Sequence, residues 1–185
     1  MFVAIEGLDG VGKTALVKSL ADHYAGKATN TPGPMLKPLS EPILAAFNDS
    51  PIAQCLFYAA SVFAEGERAR KIANGGGSVF IDRYWLSTIA YARARGISVD
   101  LSALESVVPV PDATVLLTLD ESERLRRLDS RGVTKEDVET FAPEFREIVL
   151  REMQRRGRPP GMQPVAIDVT GMNQSEVMRA VTNLL

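Results

Sequence analysis

Gly7-Leu8-Asp9-Gly10-Val11-Gly12-Lys13-Thr14 matches the pattern G-x-x-x-x-G-K-[ST] at every fixed position. Glycines at this spacing let successive backbone N–H groups curl around phosphate oxygens where a Cβ would clash. Phe2–Glu6 before the motif is a short apolar run that reads as a buried strand. Gly12 to about Tyr24 after it reads as a helix, with Leu16, Val17 and Leu20 on one side. Strand, glycine loop and helix N-terminus together form a ready-made anion site. In this reading Lys13 reaches the β- and γ-phosphates of a nucleoside triphosphate, and the Thr14 hydroxyl suits Mg²⁺. The competing reading is a glycine-rich turn with no ligand.

Working outward, apolar runs and helical spacings alternate. Ala28–Thr31 reads as a weak second strand, Thr31–Pro38 as a Pro/Gly loop and Glu41–Phe47 as a short helix. Pro51 to about Asn74 reads as a long helix ended by Gly75-Gly76-Gly77. Ser78–Asp82 is the next strand, followed by helices over Trp85 to about Arg95 and Leu101–Val107. Ala113–Leu119 is a strand, Glu121–Arg131 a helix, and Lys135 to about Arg156 mostly helix, kinked or split at Pro143. Gly157–Gln163 is a loop, Pro164–Val169 the last strand and Gln174–Leu185 the last helix. Such alternation predicts an α/β, three-layer fold of the P-loop NTPase type: a parallel sheet flanked by helices, in one domain spanning 1–185. Ligands in such sheets bind beyond the carboxyl ends of the strands. That places Gly7–Thr14 and Asp82-Arg83 on one edge.

Asp82-Arg83 closes the apolar run Val79-Phe80-Ile81. In one reading Asp82 supports Mg²⁺, usually through water, and Arg83 grips a phosphate by bidentate hydrogen bonds. In the other the two form a structural ion pair at a strand end. Arg124, Arg127 and Arg131 lie at i, i+3, i+7 on one helical face, with Arg126 to the side. They would neutralise charge in phosphoryl transfer, or else serve structural pairs such as Asp120/Arg124 and Glu123/Arg127.

The bulk numbers remove other classes. The chain has 185 residues, 45% of them hydrophobic and 24% charged, which suits one globular domain. A net charge of −2 gives no drive toward nucleic acid or anionic membrane. The single cysteine, Cys55, precludes an internal disulfide, reads as a packing residue and fits a reducing, cytoplasmic setting. One histidine, His23, leaves no Cys/His metal cluster to build. No secretory leader and no membrane span is expected. Guanine-reading N-K-x-D is absent, and Asp168-Val-Thr-Gly171 comes too late to serve as a GTPase D-x-x-G. A hydroxyl acceptor would need a general base, and Asp9 is the one obvious acid in position. A nucleotide phosphate, with its second pKa at about 6, needs only positioning and charge neutralisation.

Taken in order, these pieces resemble the thymidylate kinase family. The matches are Phe2-Val-Ala-Ile-Glu-Gly-Leu-Asp-Gly-Val-Gly-Lys-Thr14, Thr31-Pro-Gly33, Leu56-Phe57, Asp82-Arg-Tyr-Trp-Leu-Ser87 with Ala90-Tyr91, Pro111-Asp112, Arg127/Arg131-Gly132, Phe145 and Ile167-Asp168. The resemblance implies a five-stranded parallel sheet, ATP–Mg²⁺ as donor, a nucleoside monophosphate acceptor and a homodimer. It places Asp9 near the acceptor sugar and metal, Arg83 on the acceptor phosphate and Phe57 on the base. Pro32, Ser61, Ser87, Thr88 and Tyr91 would line that pocket. Arg127 and Arg131 would belong to a lid segment over about 127–143. Gly10 stands where some members carry a basic residue, so lid charge would count for more. Two departures stand out. Asn30-Thr31 occupies the family's Arg-Glu, and Ala60-Ser61 its Asp-Arg, whose arginine reads the base. They open three readings: a kinase for dTMP or an analogue, a nucleoside or small-molecule kinase, and a nucleotide-binding regulator without turnover.

Overall fold

The computed structural model describes residues 1–48, 50–155 and 157–185, and of Lys135 and Glu136 the backbone only. Five strands form one parallel sheet: β1 (Phe2–Glu6), β2 (Lys27–Asn30), β3 (Val79–Asp82), β4 (Ala113–Thr118) and β5 (Val165–Asp168). Their order is β2-β3-β1-β4-β5, so the strand that feeds the glycine loop is central. Ile5 pairs in register with Asp82, which puts the glycine loop and Asp82-Arg83 side by side.

The period-two alternation of β1 sorts its residues between two cores. Val3 and Ile5, with Phe80, pack against α1 (Lys13–His23), α8 (Pro143–Gln154) and α9 (Gln174–Thr182) through Leu16, Leu20, Val149, Met153 and Val181. Phe2 and Ala4, with Val79 and Ile81, pack against α3 (Pro51–Asn74) and α4 (Trp85–Ala94) through Ala59, Val62, Trp85 and Ile89. The remaining helices are α2 (Lys37–Ala46), α5 (Ser102–Glu105), α6 (Glu121–Arg131) and α7 (Lys135–Val138). Among the described residues, no helix is long and apolar enough to cross a membrane.

The sequence reading and the structure part at a few boundaries. α2 begins at Lys37 rather than Glu41, because Pro38 sits in its first turn, where a missing N–H costs nothing. The long helix expected from Lys135 is α7, a 3₁₀ turn over Glu139–Phe141, and then α8, which starts at Pro143. Arg156, the expected end of that helix, lies outside the described residues. The loop Gly157–Gln163 contains a 3₁₀ turn at Pro160–Met162 that buries Met162 in the second core.

Candidate active site

The glycine loop follows β1 directly. Gly7 has φ +142°, and a Cβ there would stand 2.6 Å from the Leu117 carbonyl oxygen, so only glycine fits against β4. A Cβ on Gly10 would meet side-chain carbons of Leu128 and Arg124 at 3.0 and 3.1 Å. α6 thus packs closely on the loop at this position. Gly12, at φ +102°, precedes the first residue of α1.

Lys13 is buried, and its Nζ donates to the Leu8 carbonyl at 2.7 Å and lies 3.9 Å from Asp9. Burial pulls its pKa down, the nearby Arg83 charge adds to that, and the carboxylates of Asp82, Asp9 and Glu6 only partly compensate, leaving about 8. Arg83 reaches across the cleft to Asp9 at 2.5 Å. Burial pushes the Asp9 carboxyl up, but Arg83 and Lys13 outweigh it and hold the group at about 2. Of the two readings of Asp82-Arg83, a mutual ion pair is not what forms. Arg83 pairs with Asp9, and Asp82 Oδ2 accepts from the Thr14 hydroxyl at 2.5 Å.

The other carboxylate oxygen of Asp82 is buried and has no hydrogen-bond partner. An orphaned buried oxygen beside a hydroxyl fits a divalent cation. Among the described residues no group of three or more His, Cys, Asp or Glu could hold a metal. The Thr14–Asp82 pair suits a divalent cation that takes its remaining ligands from water and phosphate oxygens.

Arg83 sits at φ +65°, a region unfavourable for a side chain, and its surroundings fix it there. Its N–H donates to Ile5 O at 2.9 Å, and its carbonyl accepts from the Thr31 hydroxyl at 2.8 Å. Glu6 does the rest. This fully buried carboxylate accepts from the backbone amides of Tyr84, Leu86 and Ser87 and from the Ser87 hydroxyl, so it caps α4 just after Arg83. Burial pushes its pKa up against these bonds. Sequence reasoning assigned roles to neither Glu6 nor Thr31. An acid at the end of an otherwise apolar strand was the available signal.

The expected acceptor-pocket residues divide. Arg83 Nη1 donates to Ser87 Oγ at 3.4 Å and Nη2 to the Tyr91 hydroxyl at 3.5 Å, so Arg83, Ser87 and Tyr91 form one cluster with Asp9. Thr88 donates to the Tyr84 carbonyl within α4. Pro32 lies on the turn after β2, where its carbonyl accepts from the Asn30 side-chain Nδ2 at 2.7 Å. Phe57 is half-buried on α3, its ring against Tyr58. Ser61 is buried, and its hydroxyl is committed to the Tyr58 carbonyl at 2.7 Å.

The arginines of α6 also divide. Arg124 is fully buried and donates to the Asp9 carbonyl, to Thr140 and, bidentately, to Glu121. Asp120, considered from the sequence as its partner, instead caps α6 by accepting from the Glu123 amide. Arg127 pairs with Glu123 at 2.5 Å, and its Nη1 lies 3.7 Å from where a Gly12 Cβ would be. Arg131 pairs with the buried Asp137 at 2.5 Å. Glu123 also accepts from the Gly171 amide, tying the turn after β5 to α6.

A glycine loop on the central strand of a parallel sheet, with a buried lysine, a Thr–Asp pair at a candidate cation site and a guanidinium across the cleft, defines a P-loop phosphotransferase. A family model described as thymidylate kinase matches residues 5–159. The chain is 33% identical to a probable thymidylate kinase of Pyrobaculum calidifontis over 167 residues, covering 86% of each chain. It is likewise 33% identical to one of Pyrococcus horikoshii, over 85% of this chain and 78% of that one. A solved thymidylate kinase structure from Candida albicans, described in terms of broad substrate specificity, superposes with a TM-score of 0.79 at 25% identity, covering 99% of this chain and 89% of that one. The chain belongs to the thymidylate kinase family, and is an ATP-dependent kinase.

Proposed function

We propose that the protein transfers the γ-phosphoryl group of ATP to dTMP or a closely related pyrimidine deoxynucleoside monophosphate. The observation that carries this is the Arg83–Asp9 ion pair, which holds a guanidinium 2.5 Å from a carboxylate of the phosphate loop itself. In the reaction an acceptor phosphate oxygen attacks the γ-phosphorus and the bond to the β–γ bridging oxygen breaks, releasing ADP. The acceptor oxygen is largely ionised at neutral pH, its second pKa being about 6, so no general base is required.

Backbone amides of Gly7–Thr14 cradle the donor phosphates, and Lys13 meets the β/γ oxygens. Thr14 and Asp82 would hold Mg²⁺, which would neutralise charge on the phosphates. Arg83 orients the acceptor phosphate beside Asp9. Arg127 and Arg131, on a lid segment over about 127–143, turn from Glu123 and Asp137 toward the transferring group. Phe57 offers its ring to the base, with Pro32, Ser87, Thr88 and Tyr91 around the acceptor, while Ser61, expected there from the sequence, is buried within its own helix. Because the Ser61 hydroxyl is committed to Tyr58, base recognition rests on stacking and shape, which favours tolerance among pyrimidines. A homodimer is supported by α2, which buries none of its residues, and by the exposed Met35, Leu39, Phe47, Ile52 and Leu56 around it and on α3. A single, buried cysteine fits a cytoplasmic protein.

A coupled ADP-release assay with Mg·ATP across dTMP, dUMP, other monophosphates and free nucleosides tests this reading. Turnover confined to monophosphates, with dTMP or dUMP preferred, is expected. Turnover on nucleosides alone would move the protein to the hydroxyl-acceptor class.

ATP binding should also carry a pH signature. Protonated Lys13 is the binding form, and its pKa in the free protein is about 8. Phosphates beside it raise that value. The Lys13 contribution to affinity should already be falling as pH rises through 8, where about half a proton should be taken up per ATP bound. Titration calorimetry in buffers of different ionisation enthalpy reads this uptake; none at pH 8 would place the phosphates away from Lys13.

A further inference from the structure

Tyr91 carries two guanidiniums against one ring. Arg83 Cζ lies 5.1 Å from its centroid and Arg95 Cζ 5.7 Å, and Phe145 meets the ring edge-on at 5.9 Å. Arg95, just beyond α4, donates from Nε to Glu139 Oε1 at 3.0 Å and from Nη2 to Oε2 at 2.6 Å. Glu139 opens the 3₁₀ turn whose next residue, Thr140, accepts from Arg124 through both its hydroxyl and its carbonyl. Arg124 in turn donates to the Asp9 carbonyl. Followed from Asp9 through Arg83, Tyr91, Arg95, Glu139, Thr140 and Arg124, the contacts return to Asp9 and form a closed ring. The ring has two sides. One is the acceptor cluster, and the other is the underside of the phosphate loop. The Arg95–Glu139 pair is the link that joins α4 to the turn before α8.

We propose that Arg95 and Glu139 are positioning residues of the acceptor site: their ion pair holds Tyr91 against Arg83 and ties the acceptor grip to the turn that seats Arg124 on the phosphate loop. This rests on the reading of Arg83 as the group that binds the acceptor phosphate. Neither residue touches Asp9, Lys13 or the Thr14–Asp82 pair among the contacts described, so their effect reaches the acceptor through Tyr91. The pair is about one-third exposed, at 31% and 38%, so its role in stability is small. Its planar, two-bond geometry still fixes where the Arg95 guanidinium lies, which a lysine ammonium would not do.

The test is steady-state kinetics with dTMP and Mg·ATP on the full chain, comparing the parent with Arg95→Lys, Arg95→Ala, Glu139→Gln and the Arg95→Ala/Glu139→Gln double variant, each with a thermal melt. Expected is a rise in acceptor KM of about tenfold in both the Ala and the Gln variants, ATP KM within about twofold, and a double variant no worse than either single, because residues acting as one unit are not additive. Arg95→Lys should recover part of the loss. Acceptor KM within about twofold in every folded variant, or effects that add in the double, would overturn the proposal. Glu139→Gln keeps shape and size, so it reports even if Arg95→Ala fails to fold. A parent protein silent on all monophosphates would instead overturn the functional reading beneath it, and this proposal with it.

Discussion

The Lys13→Ala protein is expected to fold and to lose turnover by about 10³-fold, since one preorganised charge aimed at developing negative charge is worth about 10²–10³ or more in rate. Lys13 is buried, anchored by its bond to the Leu8 carbonyl and aimed from the first turn of α1 into the glycine loop. Stability should change little. Removing a desolvated ammonium relieves a cost, while leaving the Leu8 carbonyl without its donor adds about 1 kcal/mol. A melt near that of the parent together with lost ADP release is the expected pair of observations. A folded variant within tenfold of the parent rate would remove Lys13 from the reacting phosphates.

Arg83→Ala should act on the other substrate. A bidentate, charge-assisted grip on a phosphate is worth about 2–3 kcal/mol, so the acceptor KM should rise by about 10²-fold, with a smaller change for ATP. The backbone does not confuse the result, because alanine and arginine meet the same unfavourable φ of +65°. Arg83→Lys keeps a charge but not the fork, and should recover only part of the affinity. Titrating dTMP into the Arg83→Ala protein gives the direct check: unaltered binding would refute the role assigned to this guanidinium.

Much of the architecture was legible because local signals agreed with one another. Apolar Phe2–Glu6, the glycines after it and the helix opening at Lys13 form one consistent unit. α3 runs from Pro51 to Asn74 because a proline starts it and Gly75-Gly76-Gly77 ends it, both readable at a distance of a few residues. What could not be read is what depends on strands meeting. Arg83 and Asp9 are far apart in the chain, and only the β1–β3 register makes them partners. Asp120 and Arg124 stand at helical spacing, yet the buried position of Arg124 under the glycine loop gave it different partners. Likewise, i,i+4 logic found the Glu123–Arg127 pair but not the pairing of Arg131 with Asp137 beyond the helix. The departures at Thr31 and Ser61 look like losses in sequence. In the structure one supports the Arg83 carbonyl and the other turns inward to its own helix.

Glu6 gives the two ends of the transfer a common origin. The strand that launches the glycine loop also holds, by this side chain, the helix start next to Arg83. The gap a phosphoryl group must cross is thus gauged along a single ruler, while Phe57, the ring proposed above to meet the base, belongs to α3. On that proposal, one pyrimidine can be traded for another by editing α3 without resetting that gap.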